Sequence, residues 1–313
     1  MENIPTYVNS QHRYYTLNYY YRKKFNSKVA KISLNGGFTC PNRDGTISSD
    51  GCIFCSDSGS GEFGGDPAKP LIDQFNDVKQ IMDKKWPNLL YIVYFQANTN
   101  TYKPLKDLKK LYLEAIHLNK NIVAIDIATR PDCLSNETLD YLESLNKVIP
   151  VTIELGLQSS SNKTARIINR GYNLDVFEDA LRQLRNRNIE VVVHVINGLP
   201  CETKTMMLDT VKYLSHQDIQ GIKIHSLFVL KGTKLAEYYC KGMINLLSME
   251  EYIDITCEEL AYLRKDIVVH RISGDGPADL LIAPHWGQKK LVIMNKIDQL
   301  MKKRNYYQGI KYK

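Results

Sequence analysis

The chain has 313 residues and a net charge of +7, and its 43% hydrophobic and 24% charged content is ordinary for a globular protein. No apolar run reaches the roughly 18 residues that a membrane span needs, and the polar, tyrosine-rich N-terminus is unlike a signal peptide. Seven cysteines fit a reducing cytosol better than a disulfide framework. We therefore expect a cytoplasmic protein with no membrane partner, long enough for one large α/β domain or two small ones.

From residue 28 onward, short β-branched runs alternate with longer amphipathic stretches. The runs predict six strands, at residues 29–34, 90–95, 122–127, 151–156, 190–196 and 222–228. The stretches between them predict helices at residues 71–86, 105–118, 135–146, 174–187 and 205–216. Tandem β-α repeats with right-handed crossovers predict an α/β fold in which a parallel sheet curls into a partial (β/α)6 TIM-type barrel.

The regular alternation fades after residue 230. The pattern there predicts a helical region, a strand, a turn-rich loop and a basic helix, at residues 235–264, 267–272, 273–277 and 289–304. We expect one catalytic domain made of a basic N-terminal extension, the barrel and a C-terminal extension with a basic tail, at residues 1–27, 28–230 and 231–313.

Positive charge is concentrated at the two ends of the chain. Residues 1–31 contain six Lys or Arg and one Glu, and residues 281–313 contain eight Lys or Arg and one Asp, so the middle carries a net negative charge. Tyrosines are interleaved with these basic residues, a composition that suits a polyanion such as RNA. The alternative is that both ends are solvated and keep the protein soluble.

Three cysteines, Cys40, Cys52 and Cys55, follow the first predicted strand within a glycine- and serine-rich loop at residues 36–65. Three thiolates on one loop can hold three irons of a 4Fe–4S cluster and leave the fourth iron open. An open iron could chelate S-adenosylmethionine (SAM), and electron transfer would then cleave SAM to a 5′-deoxyadenosyl radical. A zinc site, which usually brings a second CxxC or a His pair, and a structural group of thiols remain the alternatives.

The chain resembles the radical SAM superfamily over nearly its whole length. The matching stretches are KISLNGGFTCPNRDG (31–45), GCIFC (51–55), YFQANTNTY (94–102), ELGLQS (154–159), NGLP (197–200) and HRISGDGP (270–277), which runs into LLIAP (280–284). It is most similar to the YhcC/YtqA-type branch, which is itself similar to the radical SAM domain of the elongator catalytic subunit. Eleven residues separate Cys40 from Cys52, whereas the superfamily's commonest spacing is CxxxCxxC, and the elongator-like branch also has a longer gap.

The resemblance implies a 4Fe–4S cluster on the three cysteines and a SAM site at the strand ends. It implies contacts to the SAM amino group from Gln96, Asn98 and Asn100, to the ribose and carboxylate from Glu154, Gln158 and Ser159, and to the adenine from the backbone of Gly198 and from His225. The alternatives are that Glu154 and Gln158 only satisfy buried backbone groups at the barrel rim, and that His225 is a packed core residue.

Two further residues are candidates for binding the substrate. Arg130 ends the third predicted strand and could neutralise a carboxylate or phosphate bidentately, although an ion pair with Asp126 or Asp132 would explain it equally well. Asp275 lies in the turn-rich loop and could recognise the substrate if that loop closed, although turn chemistry alone explains its composition.

The resemblance also implies a function and partners. Elongator-like relatives modify the C5 position of the wobble uridine in tRNA, so tRNA is the expected substrate and partner, together with a reducing electron donor such as flavodoxin or ferredoxin. Radical chemistry on a small metabolite or a porphyrin-type substrate is the first alternative. A non-catalytic, metal-stapled RNA-binding protein is the second.

Overall fold

The computed structural model describes residues 4–9, 11–274 and 276–313. Its strands are β1 Val29–Leu34, β2 Leu90–Phe95, β3 Ile122–Thr129, β4 Val151–Gln158, β5 Glu190–Asn197, β6 Gly221–Ser226, β7 Val229–Leu230, β8 Val268–Arg271 and β9 Leu281–Ala283. The first six strands pair in parallel in chain order, and β8 pairs in parallel with β6 at the edge. The predicted α/β partial barrel is confirmed, with β8 as a seventh strand that the six-fold repeat did not include.

The helices are α1 Leu17–Phe25, α2 Leu71–Lys85, α3 Leu105–Ile116, α4 Asn136–Asn146, α5 Asn162–Ile167, α6 Leu174–Asn186, α7 Lys204–Ser215, α8 Lys234–Cys240, α9 Met249–Tyr262 and α10 Lys290–Lys303. The apolar faces of the helices between the strands pack with β-strand side chains into one large core. Ser135 caps α4, since its hydroxyl accepts from the Thr138 amide at 3.3 Å. Among the residues described, no helix is both long and apolar enough to cross a membrane.

The predicted helical region at residues 235–264 is in fact two helices, α8 and α9. Gly242, at φ +67°, follows α8 and ends it. Ser248 then starts α9 through a capping box with Glu251. Around this region β7 and β9 form a separate antiparallel pair, which lies near the carboxyl ends of the main sheet.

The N-terminal extension is an ordered part of the barrel. Helix α1 contacts both β1 and β8, the two edge strands of the sheet. Just before it, the amide of Val269 donates to the carbonyl of Tyr15 at 2.8 Å, and Thr16 forms an isolated bridge with Val269. Tyr14 and Tyr21 are buried. These tyrosines, which composition alone associates with RNA, therefore pack within the protein.

The two basic ends pack against each other near the amino ends of the strands. Arg13 Nε donates to the Tyr306 carbonyl at 2.8 Å, and the Tyr15 amide donates to Gln308 Oε1 at 2.8 Å. Gln308 in turn donates to the carbonyl of Ile267, which directly precedes β8. The cavity described below lies at the opposite, carboxyl ends of the strands.

Candidate active site

A cavity of about 260 Å³ opens at the carboxyl ends of the strands. Such a position is where β/α folds hold their functional groups, because loops from many strands converge there. Nine of the predicted site residues line it: Cys40, Cys52, Cys55, Gln96, Asn98, Arg130, Glu154, Gln158 and His225. The cavity therefore collects side chains that are spread over about 185 positions of the sequence.

Three described site residues that the sequence predicted, Asn100, Ser159 and Gly198, are not part of the cavity lining. Asn100 is fully buried, and its side-chain Nδ2 donates to the Ala128 carbonyl at 2.8 Å. The Ser159 hydroxyl is buried against Glu202. Gly198, at φ +88°, would place a Cβ 3.1 Å from Leu247. Their SAM contacts stay predictions, and Asp275 lies outside the described residues.

Buried side-chain amides hold the cysteine loop in place. Asn42 donates through Nδ2 to the Asn169 carbonyl at 2.6 Å, and Asn169 donates back to the Gly51 carbonyl at 2.7 Å. The Ile53 amide adds a bond to the Ile168 carbonyl at 3.1 Å. The loop that carries Cys40, Cys52 and Cys55 is thus fixed to the segment after α5.

The glycine-rich part of this loop packs closely on the end of β2. A Cβ on Gly59, which has φ +63°, would lie 1.9 Å from Asn98 Oδ1, and one on Gly61 would lie 2.4 Å from Ala97 Cβ. Glycine is needed at both positions because a side chain would collide. Gln96 lies beside them: its Nε2 donates to the Ser60 carbonyl at 3.0 Å, and its Oε1 accepts from the Ser33 hydroxyl at 3.4 Å.

The three thiols sit in an environment that suits a bound iron–sulfur cluster. Burial raises the pKa of the Cys52 thiol to about 12 and also raises that of Cys55. A thiolate there needs a compensating cation, and iron supplies it when it displaces the proton. Asn42 Nδ2 lies 3.6 Å from Cys52 Sγ, and Arg43 Nη1 lies 3.9 Å from Cys55 Sγ, as outer-shell donors to cluster ligands do.

The arrangement fits a cluster better than a single ion. Within residues 4–9, 11–274 and 276–313, no three His, Cys, Asp or Glu side chains converge as the ligands of one metal ion would. The thiolates of a 4Fe–4S cluster each bind a different iron, so they surround a cube and need not meet at one point. Cys40, Cys52 and Cys55 all line the one cavity, and a cluster held by these three thiolates would have one iron left for a non-protein ligand.

Two arginines flank the Tyr172 ring beside the cysteines. The guanidinium carbons of Arg130 and Arg170 lie 4.9 and 4.5 Å from its centroid. Arg130 also binds Asp132 through Nε at 2.9 Å and Nη2 at 2.6 Å. The ion pair that sequence left as an alternative for Arg130 is therefore present, and substrate binding by Arg130 stays a prediction.

A layer of buried charged side chains crosses the barrel below the cysteines, and we call it the ionic layer. It takes one residue from each of β1, β3, β4, β5 and β6: Lys31, Asp126, Glu154, His194 and Lys223. Lys31 pairs with Asp126 and donates to Glu154 Oε1 at 2.9 Å. Glu154 Oε2 is bonded to His194 Nε2 at 2.8 Å and to the Lys223 ammonium.

Charge compensation in the ionic layer centres on Glu154. Burial raises the pKa of Glu154, but the positive charges of Lys223 and Lys31 outweigh it and hold that pKa well below its usual value. Burial is the main cause that lowers the pKa of Lys223 to about 8, and the positive charges of Lys31 and Arg271 act in the same direction. The negative charge of Glu154 raises this pKa and offsets part of the effect. The Glu154 carboxylate thus binds three basic side chains. Its contact with SAM stays a prediction.

A second buried carboxyl supports the end of β5. Asn197 Nδ2 donates to Glu259 Oε2 at 2.8 Å, and both side chains are almost completely buried. Burial raises the pKa of Glu259 to about 8, and the Glu202 carboxyl adds to the effect. Glu259 is therefore protonated at neutral pH and holds Asn197, which directly precedes Gly198.

Glu259→Gln is expected to change how stability depends on pH. The folded-state pKa is raised, so the unfolded chain loses its proton near the ordinary pKa of about 4.5 while the folded protein keeps it until about pH 8. Wild-type stability therefore falls across this window, and an uncharged Gln removes the loss. Between pH 6 and 9 the stability of the variant relative to wild type should rise by about 2–3 kcal/mol in urea unfolding. Parallel curves for the two proteins would show that Glu259 is already ionised.

Comparison with known families adds to this geometry. Residues 38–214 match the family model described as the Radical SAM superfamily, and residues 219–303 match the model described as the Radical_SAM C-terminal domain. Together the matches cover the three cysteines, strands β2 to β9 and most of the C-terminal part.

Curated relatives cover the same region. The uncharacterized protein YtqA of Bacillus subtilis (strain 168) is 44% identical over 99% of this chain and 96% of its own length. Protein YhcC of Escherichia coli (strain K12) is 33% identical over 89% of each chain. The tRNA uridine(34) acetyltransferase of Methanocaldococcus infernus is 26% identical over 59% of this chain and 34% of its own length.

A solved structure shows the same fold. The archaeal Methanocaldococcus infernus Elp3 with an N-terminal deletion superposes with a TM-score of 0.66 at 19% identity, over 90% of this chain and 64% of that one. The cysteine loop, the cavity, the family model and the relatives all agree with the resemblance noted in the sequence. The chain belongs to the radical SAM superfamily, whose members use a 4Fe–4S cluster and S-adenosylmethionine.

Proposed function

We propose that this radical SAM enzyme modifies the C5 side chain of the wobble uridine in tRNA. The observation that carries the proposal is its similarity to an archaeal protein named as a tRNA uridine(34) acetyltransferase, over more than half of this chain. When bound, the cluster and SAM supply a 5′-deoxyadenosyl radical, which abstracts a hydrogen atom from the substrate.

The cavity wall supports a nucleobase as the group that enters. Its lining includes the apolar and aromatic side chains of Phe54, Phe63, Leu227 and Phe228. Phe63 is 52% exposed, which is unusual for a phenylalanine and places an aromatic ring at the mouth. Proteins that read single-stranded RNA loops stack unpaired bases on such rings. A wobble base, which lies in a single-stranded loop, can enter without the cost of breaking a pair.

In this proposal the basic ends of the chain contact the tRNA away from the cavity. They pack at the amino ends of the strands and not beside the cavity, and Arg22, Lys23 and Lys24 are exposed there. Phosphate contacts position a nucleic acid without reading its sequence, and a tRNA extends well beyond the base that reacts. The proposal therefore assigns base recognition to the cavity mouth and leaves only backbone contacts to the basic ends.

Mass spectrometry of tRNA nucleosides with and without the gene tests this proposal. We expect the deletion strain to lose one C5-substituted uridine at position 34, or to accumulate its precursor. A plasmid copy of the wild-type gene should restore the profile, and a copy with Cys52→Ala should not. An unchanged nucleoside profile, together with SAM cleavage by the purified protein, would instead point to a small-molecule substrate.

A further inference from the structure

The floor of the cavity is formed by the ionic layer and its neighbours. Lys223 lies three residues before the end of β6, so it sits about 10 Å below the rim at about 3.3 Å per residue. Tyr94, Glu154, His194 and Arg271 line the cavity with it.

Positive charge predominates among the cavity residues that the structure describes. The basic ones are Arg130, Arg170, Lys223 and Arg271, and the acidic ones are Glu62 and Glu154. Glu62 lies in the cysteine loop and is hydrogen-bonded to Ser56. Only Glu154 remains at the floor, and it already accepts from Lys31, His194 and Lys223.

Donors remain available for a ligand at this floor. The Lys223 ammonium has three protons, and within the described part of the chain it binds Glu154 and the Tyr94 hydroxyl, the latter at 3.2 Å. Lys223 is only 7% exposed, so its third donor can be satisfied inside the cavity. His225 Nε2 is also buried and has no partner among the described residues, and it is a further donor in the tautomer that carries its proton there. A buried donor without an acceptor is costly, so a ligand atom is expected here.

We propose that this floor, built around Lys223 with His225 beside it on β6, is a binding site for an anionic group of the substrate, and that the group is a carboxylate. A carboxylate carries one negative charge and accepts several hydrogen bonds in one plane, which suits a buried ammonium with a donor to spare. The incoming group shares the Lys223 ammonium with Glu154, whose charge Lys31 also compensates. The inference rests on the proposed function only in that the carboxylate would be a substituent of the uracil ring.

A matched pair of nucleosides separates the two proposals. The reconstituted holoenzyme with SAM bound is titrated under anaerobic conditions with uridine-5-carboxylate and with its uncharged analogue, uridine-5-carboxamide. We expect the carboxylate to bind at least about tenfold more tightly, because a charge-assisted bond to a buried ammonium is lost in the amide. Lys223→Gln should abolish this preference, and Lys223→Arg should retain most of it.

Each remaining result supports or overturns either the anion site or the uridine substrate. Equal binding of the two nucleosides would overturn the anion site and leave the uridine proposal intact. If neither nucleoside binds, acetate and inorganic phosphate are titrated alone: acetate binding that Lys223→Gln abolishes would keep the anion site and count against uridine. Preferential binding of phosphate would assign the site to a phosphate group and overturn the carboxylate. Binding of none of these anions would overturn the site altogether, and since wild type alone gives this result, it does not depend on the folding of a variant.

Discussion

Replacing Cys52 by Ala is expected to remove most of the bound iron and to reduce reductive SAM cleavage below detection. The substitution removes one of the three thiolates that the loop offers to the cluster. Removal of an outer-shell partner alone commonly costs about 10–100-fold in metal affinity, and loss of a ligand costs more. Iron analysis, the visible absorption of the reconstituted protein and release of 5′-deoxyadenosine measure the effect.

Cys240→Ala is the matched control for this prediction. Cys240 is exposed at the end of α8 and does not line the cavity, so the variant should keep wild-type iron content and SAM cleavage. Retention of a full cluster by the Cys52 variant would mean that another residue replaces this ligand, and the assignment of the three cysteines would have to be revised.

Glu154→Gln is expected to destabilise the protein by about 3–5 kcal/mol. The carboxylate is fully buried and bonded to Lys31, His194 and Lys223. Lys31 keeps Asp126 in the variant, but the buried Lys223 ammonium loses the carboxylate that compensates it. Breaking a buried ionic network by removing one charge costs more than the network itself contributes, because the remaining charges cannot return to water. Urea unfolding at pH 7 measures the loss.

The same substitution at an exposed ion pair provides the comparison. Glu190 binds Lys24 at 2.8 Å near the amino ends of the strands, and both side chains are about one-third exposed. Glu190→Gln should therefore cost less than about 1 kcal/mol. If Glu154→Gln proved equally mild but lost SAM affinity, the cofactor contact predicted from the sequence would be its main role and the ionic layer would be secondary.

The strands could be predicted because their amino-acid composition differs from that of the neighbouring helical stretches. Val29–Leu34 and Leu90–Phe95 are β-branched or aromatic runs between helical stretches, and the structure gives β1 and β2 the predicted limits. The three cysteines could be placed together because one loop after β1 carries them all, and the structure puts all three in the cavity lining, while their role as cluster ligands stays a prediction. Helix α5 was missed, since its six residues are too short to show a helical period.

The ionic layer was not predicted, although each of its members stands out within its strand. Lys31 in β1 and Asp126 in β3 interrupt apolar runs, and a single polar residue in a strand normally indicates a face exposed to water. Polar residues recur at every second position of a strand whether they face solvent or the barrel interior. The alternation therefore cannot show which of the two environments they face. The informative signal is that β1, β3, β4, β5 and β6 each carry such a residue near mid-strand.

The tyrosine-rich N-terminal segment shows the limit of composition in another way. Basic and aromatic residues together indicated RNA, but composition does not say which of them face solvent. Tyr7 packs face to face on Tyr15 at 4.7 Å, and its hydroxyl donates to the Lys265 carbonyl at 2.9 Å. Contacts between residues this far apart in sequence cannot be read from a local pattern.

The bridging of β1 and β8 by the N-terminal segment has a consequence for synthesis on the ribosome. Arg13 binds a carbonyl 293 positions later in the chain, and Tyr15 meets Val269. Such long-range contacts form late, because they require closure of a loop that contains nearly the whole protein. The nascent chain therefore carries N-terminal tyrosines without their final packing partners until β8 and the C-terminal residues emerge, and we expect this intermediate to aggregate more readily than the folded protein.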